Sequence, residues 1–247
     1  MVTKSLIKRI KNLHQKKHRI SDGLFLAEGV KVVQEFIRTG FECEQLLITP
    51  EWKTQFDEKS YTETGKDTFK KISCLRTPPG VLAVFKIPPP AQAVHKGLTV
   101  VLDDVNDPGN FGTIIRLCDW FGVKQLVCSP ETVDCYNPKV VQAAMGSLAR
   151  IEVIYMSLYS FLEESNRLRP SFGTFMDGKS VYGQSFTPDA ALVMGNEANG
   201  IRPETGKLVQ HRIGIPRFGA LQQTESLNVA TATAIFLSEM NRDFTEK

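Results

Sequence analysis

Leu6, Ile7, Ile10 and Leu13 recur at helical spacing with basic residues between them, which predicts an amphipathic helix at the start of the chain. Gly23-Leu-Phe-Leu-Ala-Glu28 reads as a short strand, and Val30 to Arg38 as a helix that Gly40 is placed to end. A strand at Gln45–Thr49, a helix at Phe69–Leu75 and a strand at Val81–Ile87 complete a β-α-β alternation, so residues 1–90 are expected to form a small α/β domain. Three prolines, Pro88 to Pro90, lead into small and polar residues as far as Gly97, and 91–97 reads as a linker. Alternation then resumes. Strands are expected at 98–103, 125–128, 151–155, 190–194 and 212–215, with helices at 110–121, 138–145, 158–168 and 226–240. These strands are nearly continuous apolar runs, which suits a parallel sheet covered on both faces in a second domain, 98–247.

Composition changes this picture little. A chain of 247 residues, 42% hydrophobic and 23% charged, is globular and large enough for two domains. No apolar run is long enough to span a bilayer, and the basic start lacks the apolar block of a secretion signal. It is also Lys-rich and nearly Ser-free, unlike a mitochondrial presequence, so a cytoplasmic location is expected. The five cysteines, at 43, 74, 118, 128 and 135, include no C-x-x-C pair, which argues for reduced thiols and against a disulfide framework or a zinc site. His14 and His18, four apart, lack cysteine partners for a metal.

Charge adds more. Residues 1–90 hold 16 Lys and Arg against 10 Asp and Glu, a net of +6, and the remainder holds 14 against 17, a net of −3. The excess centres on Lys4, Lys8, Arg9, Lys11, Lys16, Lys17 and Arg19. Such a segment suits a polyanion, or is an ordinary solvated helix.

One motif is set aside. Gly173-Thr-Phe-Met-Asp-Gly178-Lys179-Ser180 fits G-x-x-x-x-G-K-S, but no buried strand is expected before it and no helix after it, so a phosphate-binding loop is not expected. No G-x-G-x-x-G occurs, which removes support for a dinucleotide site. Three other segments each follow an expected strand, where ligands collect in open α/β sheets. In Asn106-Asp-Pro-Gly-Asn110-Phe-Gly112-Thr-Ile-Ile-Arg116, Asn110 is a candidate helix cap, and Arg116 can clamp a phosphate or oxyanion, or pair with Asp119 or Trp120. In Met194-Gly195-Asn196-Glu197-Ala-Asn-Gly200, glycines flank an acid and allow close backbone approach. In Ile215-Pro216, a loop and then Glu225-Ser226-Leu227-Asn228, small residues follow at Ala230 to Ala234, and Ser226 is a candidate cap.

Together these segments resemble the SpoU/TrmH branch of the SPOUT methyltransferases over the whole second domain. An Asn six residues before an Arg, G-N-E-x-x-G after a strand, and I-P followed by S-L-N are that family's three motifs in order. The first domain resembles its substrate-binding domain more loosely, through Phe25-Leu-Ala-Glu-Gly29 and the helix that follows. The loop from Pro216 to Ser226 is longer than the commonest family form, and Arg217 stands where Met is frequent. The resemblance implies a C-terminal trefoil-knotted, parallel-sheet SPOUT domain preceded by a small α/β RNA-binding domain, and a homodimer formed through the C-terminal domain. It implies S-adenosyl-L-methionine held by Met194, Gly195, Asn196, Ile215, Pro216 and Leu227, and methyl transfer to a ribose 2′-hydroxyl. Arg116 would be the central catalytic group, supported by Asn110, Glu197, Ser226 and Asn228. Lys8, Lys11, Lys16, Lys17 and Arg19 would meet RNA, ribosomal more readily than transfer RNA. The donor is already activated, so neither a metal nor a membrane partner is expected. A transfer-RNA enzyme, a base-modifying enzyme and a non-catalytic RNA-binding assembly factor remain alternatives.

Overall fold

The computed structural model describes residues 2–219 and 226–244. In chain order the elements are α1 (Lys4–Asn12), α2 (Lys16–Asp22), β1 (Leu24–Glu28), α3 (Val30–Arg38), β2 (Cys43–Ile48), β3 (Thr62–Glu63), α4 (Lys66–Ile72) and β4 (Val81–Lys86). Then come β5 (Leu98–Leu102), α5 (Pro108–Trp120), β6 (Gln125–Cys128), α6 (Pro138–Ala144), β7 (Glu152–Tyr155), α7 (Leu158–Ser165) and β8 (Ser171–Ser180). Last are β9 (Ala190–Met194), α8 (Pro203–Gly206), β10 (His211–Gly214) and α9 (Val229–Asn241).

The chain forms two compact units, residues 1–89 with 134–150, and residues 90–133 with 151–247. The helix expected at 138–145 within the second domain therefore belongs, as α6, to the first unit. There Tyr136, just ahead of α6, places its ring 4.6 Å from that of Phe25 on β1. Residues 87–95, around the expected linker, have no regular secondary structure.

The first unit holds a sheet in the order β1-β4-β2-β3, antiparallel except between β2 and β3. α1 docks with the face its periodicity marks out. Ile10 and Leu13 are fully buried in a cluster with Leu24, Leu26, Phe69 and Leu82, and Leu6 and Ile7 pack against it. The opposite positions Lys4, Lys8 and Lys11 are exposed.

Arg19 departs from this pattern. It is 2% exposed. Its guanidinium donates to Asp134 Oδ2 at 2.9 and 2.5 Å and to the carbonyls of Leu13 and His14 at 2.9 and 3.1 Å. The expectation that Arg19 meets RNA is corrected on that account, because its donors are spent on holding the α1–α2 turn to the segment leading into α6. His14, its ring nitrogen 2.9 Å from the Ile72 carbonyl, is likewise used internally.

The second unit is a six-stranded sheet in the order β10-β8-β9-β5-β6-β7, parallel throughout. Its central strands are buried along their length, as their unbroken apolar runs require. Val101, Val127, Ala191 and Val193 pack under Leu158, Phe161 and Leu162 of α7. α5 packs against α9. The segment with the phosphate-loop pattern is β8, a ten-residue strand with no helix after it. Its Gly178 faces the β10 backbone so closely that a Cβ there would lie 2.3 Å from the Ile213 carbonyl carbon. All five cysteines are free thiols. No helix among the described residues is long and apolar enough to cross a membrane.

Asp134→Ala would strand the buried Arg19 cation. Unfolding in urea should show a loss of about 3–5 kcal/mol. Combining it with Arg19→Met should recover much of that loss, and a single variant as stable as the parent would refute the anchoring role of the pair.

Candidate active site

Three loops at the carboxyl ends of the second unit's strands carry the three sequence motifs. β5 ends in Asp103, fully buried, followed by Asp104 in a left-handed conformation, φ 62°. That unusual turn presents the Asp104 carbonyl to two side-chain amides, Asn106 Nδ2 at 3.1 Å and Asn196 Nδ2 at 2.6 Å. Asp107 then caps α5, accepting from Asn110 N at 2.7 Å, with Pro108 in the first turn. The cap is therefore Asp107 and not Asn110, whose amide is left available for other work.

The loop after β9 is a tight reversal. Asn196 and Gly200 exchange backbone hydrogen bonds at 2.9 Å each, and Asn196 Oδ1 accepts from Ala198 N and Asn199 N. Gly195 cannot carry a side chain, since a Cβ would sit 2.1 Å from the Gly200 carbonyl carbon. Gly200 supplies a positive φ of 66°. The far end of the loop is fixed by Arg202, whose backbone N and Nε donate to buried Asp103 at 2.9 and 2.7 Å. Sequence reading missed this pair because neither residue lies in a family motif.

The third loop leads into α9. Asn228, not Ser226, is the cap, accepting from Ala230 N at 3.0 Å and Thr231 N at 3.2 Å. The longer loop expected between Pro216 and Ser226 includes 220–225, which lie outside the described residues.

The three loops are joined by one chain of hydrogen bonds. Asn228 Nδ2 donates to Asn110 Oδ1 at 2.8 Å, and Asn110 Nδ2 donates to Glu197 Oε1 at 3.0 Å. Glu197 also faces the backbone N–H groups of Asn106 and Asp107 at 3.5 and 3.4 Å. Beside this chain lies a cavity of about 1340 Å³. Met194, Gly195, Asn196, Ile215, Pro216 and Leu227 all line it, as do Glu197 and Ser226. The sequence did not point to Thr174, Phe175 and Met176 of β8, which form another wall. Phe175 is fixed there with the Arg212 guanidinium 3.5 Å over its ring, and Arg212 is paired with Asp177 at 2.7 Å.

Arg116 stands apart. It is exposed on α5, does not line the cavity, and makes no hydrogen bond or ion pair among the described residues, with Asp119 or otherwise. Trp120, one turn further on, is 83% exposed. In the first unit Lys8, Lys11, Lys16 and Lys17 are exposed and unpaired among the described residues. No group of three or more candidate metal-ligating residues occurs among the described residues.

This architecture has known counterparts. The sequence profile of the SpoU rRNA methylase family matches residues 97–238. This chain belongs to the SpoU rRNA methylase family. The profile of an MRM3-like substrate binding domain matches residues 4–83. The 23S rRNA (guanosine(2553)-2′-O)-methyltransferase RlmP of Bacillus subtilis is 30% identical over 240 residues, covering 94% of each chain. A structure from Porphyromonas gingivalis assigned to the TrmH family superposes with a TM-score of 0.88 at 36% identity, covering 98% of this chain and 99% of that one. The rRNA methyltransferase of Sinorhizobium meliloti with bound AdoMet gives a TM-score of 0.86 at 28% identity, covering 100% of this chain and 97% of that one. In this SpoU-family chain the cavity lies at the carboxyl ends of the strands, where a ligand belongs in an open parallel sheet.

Two substitutions test the geometry. Gly195→Ala must displace the 200–201 backbone, and calorimetry should show cofactor affinity reduced more than tenfold, in line with roughly 1–3 kcal/mol for a lost set of buried polar contacts. Asn110→Asp replaces a donor with a second carboxylate facing Glu197. Turnover should fall at least tenfold, and a variant with parental turnover would show that the amide bridge is dispensable.

Proposed function

We propose that this protein transfers the methyl group of S-adenosylmethionine to a ribose 2′-hydroxyl of structured RNA, ribosomal RNA in preference to transfer RNA. The observation that carries the reading is the Glu197–Asn110–Asn228 chain, which draws all three motif loops to the rim of one cavity. The choice of ribosomal RNA rests on the similarity to RlmP, which extends over both units. On this reading residues 1–90 are the RNA-binding domain and 98–247, apart from the 134–150 segment that packs with the first unit, the catalytic domain, in the cytoplasm. The convergence of the 195–201 and 215–219 loops with Ser226 and Leu227 on one cavity supports a trefoil-knotted path for the carboxyl-terminal segment.

The residues present fit the cofactor. Gly195 lines the cavity with backbone alone, and peptide groups of this kind suit an uncharged adenine and ribose. Met194, Ile215 and Leu227 supply apolar surface, and the Glu197 carboxylate in the wall favours a cationic ligand. When bound, S-adenosylmethionine supplies a methyl group already activated by its sulfonium. The chain must therefore hold the ribose oxygen in line with that methyl and accept the developing alkoxide charge as the hydroxyl proton leaves. Arg116 performs that task, orienting the adjacent phosphate and stabilising the alkoxide. A guanidinium is a permanent cation, so it acts by charge and direction and not as a simple base.

Arg116 lies outside the cavity lining of its own chain, and exposed Trp120 shares its helix face. Both features support a homodimer through the second unit, in which Arg116 completes the cavity of a second copy.

Arg116→Ala should lower turnover by roughly a hundred- to a thousandfold, the scale of a lost charge-stabilising donor. Cofactor affinity measured by calorimetry should stay within twofold. Mixed dimers of Arg116→Ala and Gly195→Ala chains should regain activity that neither parent has. Ribosomal RNA from a deletion strain, methylated in vitro and digested to nucleosides, should yield 2′-O-methylribose by mass spectrometry. Arg116→Ala turnover near the parent rate, or a methyl group on a base, would overturn the reading.

A further inference from the structure

The first unit has a cavity of its own, of about 480 Å³, at the edge of its sheet formed by β2 and β3. That size lies within the range of small-ligand pockets, roughly 300–1,000 Å³. Its lining includes Phe41, Gln45, Lys59, Tyr61 and Thr62.

The lining is built in two layers. Phe41 is locked from behind, its ring 4.9 Å from that of Phe36 and 6.1 Å from that of Phe25, both edge-on, and both belong to the buried aromatic core. It is a fixed apolar floor. Tyr61, half-buried in the lining, has no aromatic ring contact among the described residues, so its ring is not already stacked on another. Gln45 Nε2 donates to Thr62 Oγ1 at 3.1 Å, which orients the amide, while its carbonyl oxygen makes no other hydrogen bond among the described residues. An oriented amide and an unstacked aromatic ring lining one cavity are equipment for recognising the edge and the face of a nucleobase.

Charge favours the same occupant. Lys59 has no ion pair among the described residues, and Glu44, the acid of the lining, is neutralised by Arg9 of α1. That contact also sets the cavity beside the basic helix, whose Lys8 and Lys11 are exposed. A strand of RNA crossing α1 would have its phosphates over lysines and a base within reach of Tyr61.

We infer that this cavity binds one unpaired nucleobase of the substrate RNA, stacked on Tyr61 and read by Gln45, with Lys59 and α1 holding the flanking phosphates. The inference rests on the RNA methyltransferase reading and adds a recognition subsite in the other unit. It makes the enzyme select RNA that carries an unpaired base splayed out of its helix, because a paired base cannot enter.

The test uses the full chain and fluorescence anisotropy with two labelled probes, a short single-stranded RNA and the duplex of the same sequence. Tyr61→Ala should weaken single-strand binding roughly tenfold, the scale of a lost base–aromatic stack, and leave duplex binding unchanged. Tyr61→Phe should restore single-strand affinity. Lys59→Ala should weaken binding of both probes and reduce the salt dependence. Thermal melts of each variant matching the parent exclude misfolding, and Gln45→Ala, on the surface of the cavity, gives an independent variant. If Tyr61→Ala and Gln45→Ala both bind the single strand within twofold of the parent, the subsite is overturned, even if the parent chain methylates ribosomal RNA. If the Tyr61→Ala loss is seen but the parent transfers no methyl group, the subsite stands and the methyltransferase reading falls.

Discussion

The second unit depends on one side-chain amide. Asn110 accepts from Asn228 and donates to Glu197, so its two ends join segments 118 and 87 residues distant in the chain. A primary amide offers a donor and an acceptor on one short, planar group. Aspartate has no donor, and serine or threonine cannot span both partners. The amide is free for this only because Asp107 caps α5 in its place. Asn228 in turn both caps α9 and donates to Asn110, so the entry of the last helix is coupled to the first motif loop. A change at any of the three residues therefore reaches all three loops, and the cavity wall with them.

Glycine and charge solve the remaining problem of bringing bare backbones together. Gly195 and Gly200 let the loop after β9 turn back on itself within van der Waals contact, and Asn196 fills its open amides. Such a loop has little intrinsic stiffness. The stiffness comes from Asp103, fully buried at the end of β5, which holds both the backbone N and the guanidinium of Arg202. Removing Arg202 would leave a buried carboxylate uncompensated, a large penalty, so this pair enforces the loop position even if it adds little net stability. The cavity is thus a consequence of constraints on loops, while the parallel sheet supplies only the platform.

Much of this was legible in the sequence. Apolar runs gave the central strands because a strand buried on both faces has no polar positions to interrupt it. The family resemblance implied that Gly195, Ile215 and Leu227 share one site, and they line one cavity. What was not legible had specific causes. β8 was missed because its glycines, threonine and lysine look like a turn, and only close packing against β10 makes Gly178 necessary. The caps were misplaced by a few residues because Asp107 and Asn110, or Ser226 and Asn228, are equally good capping types. The partner of each is set by tertiary contacts. The segment 134–150 was assigned to the wrong neighbours because helical periodicity shows which face is buried but not against what.

Arg19 shows the same limit for charge. In sequence it is one of seven cations in the first 19 residues, indistinguishable from Lys16 and Lys17. In the fold it is withdrawn to satisfy two carbonyls and Asp134, while the lysines stay in solvent. The difference follows from side-chain chemistry. A guanidinium has enough donors in a fixed plane to fill a buried site completely, whereas an ammonium would leave part of that site unmet and is the better hydrated ion. Within this basic segment Arg19 organises the unit internally, while Lys8, Lys11, Lys16 and Lys17 remain exposed. Net charge alone overstates the cations available for binding, and burial decides which ones count.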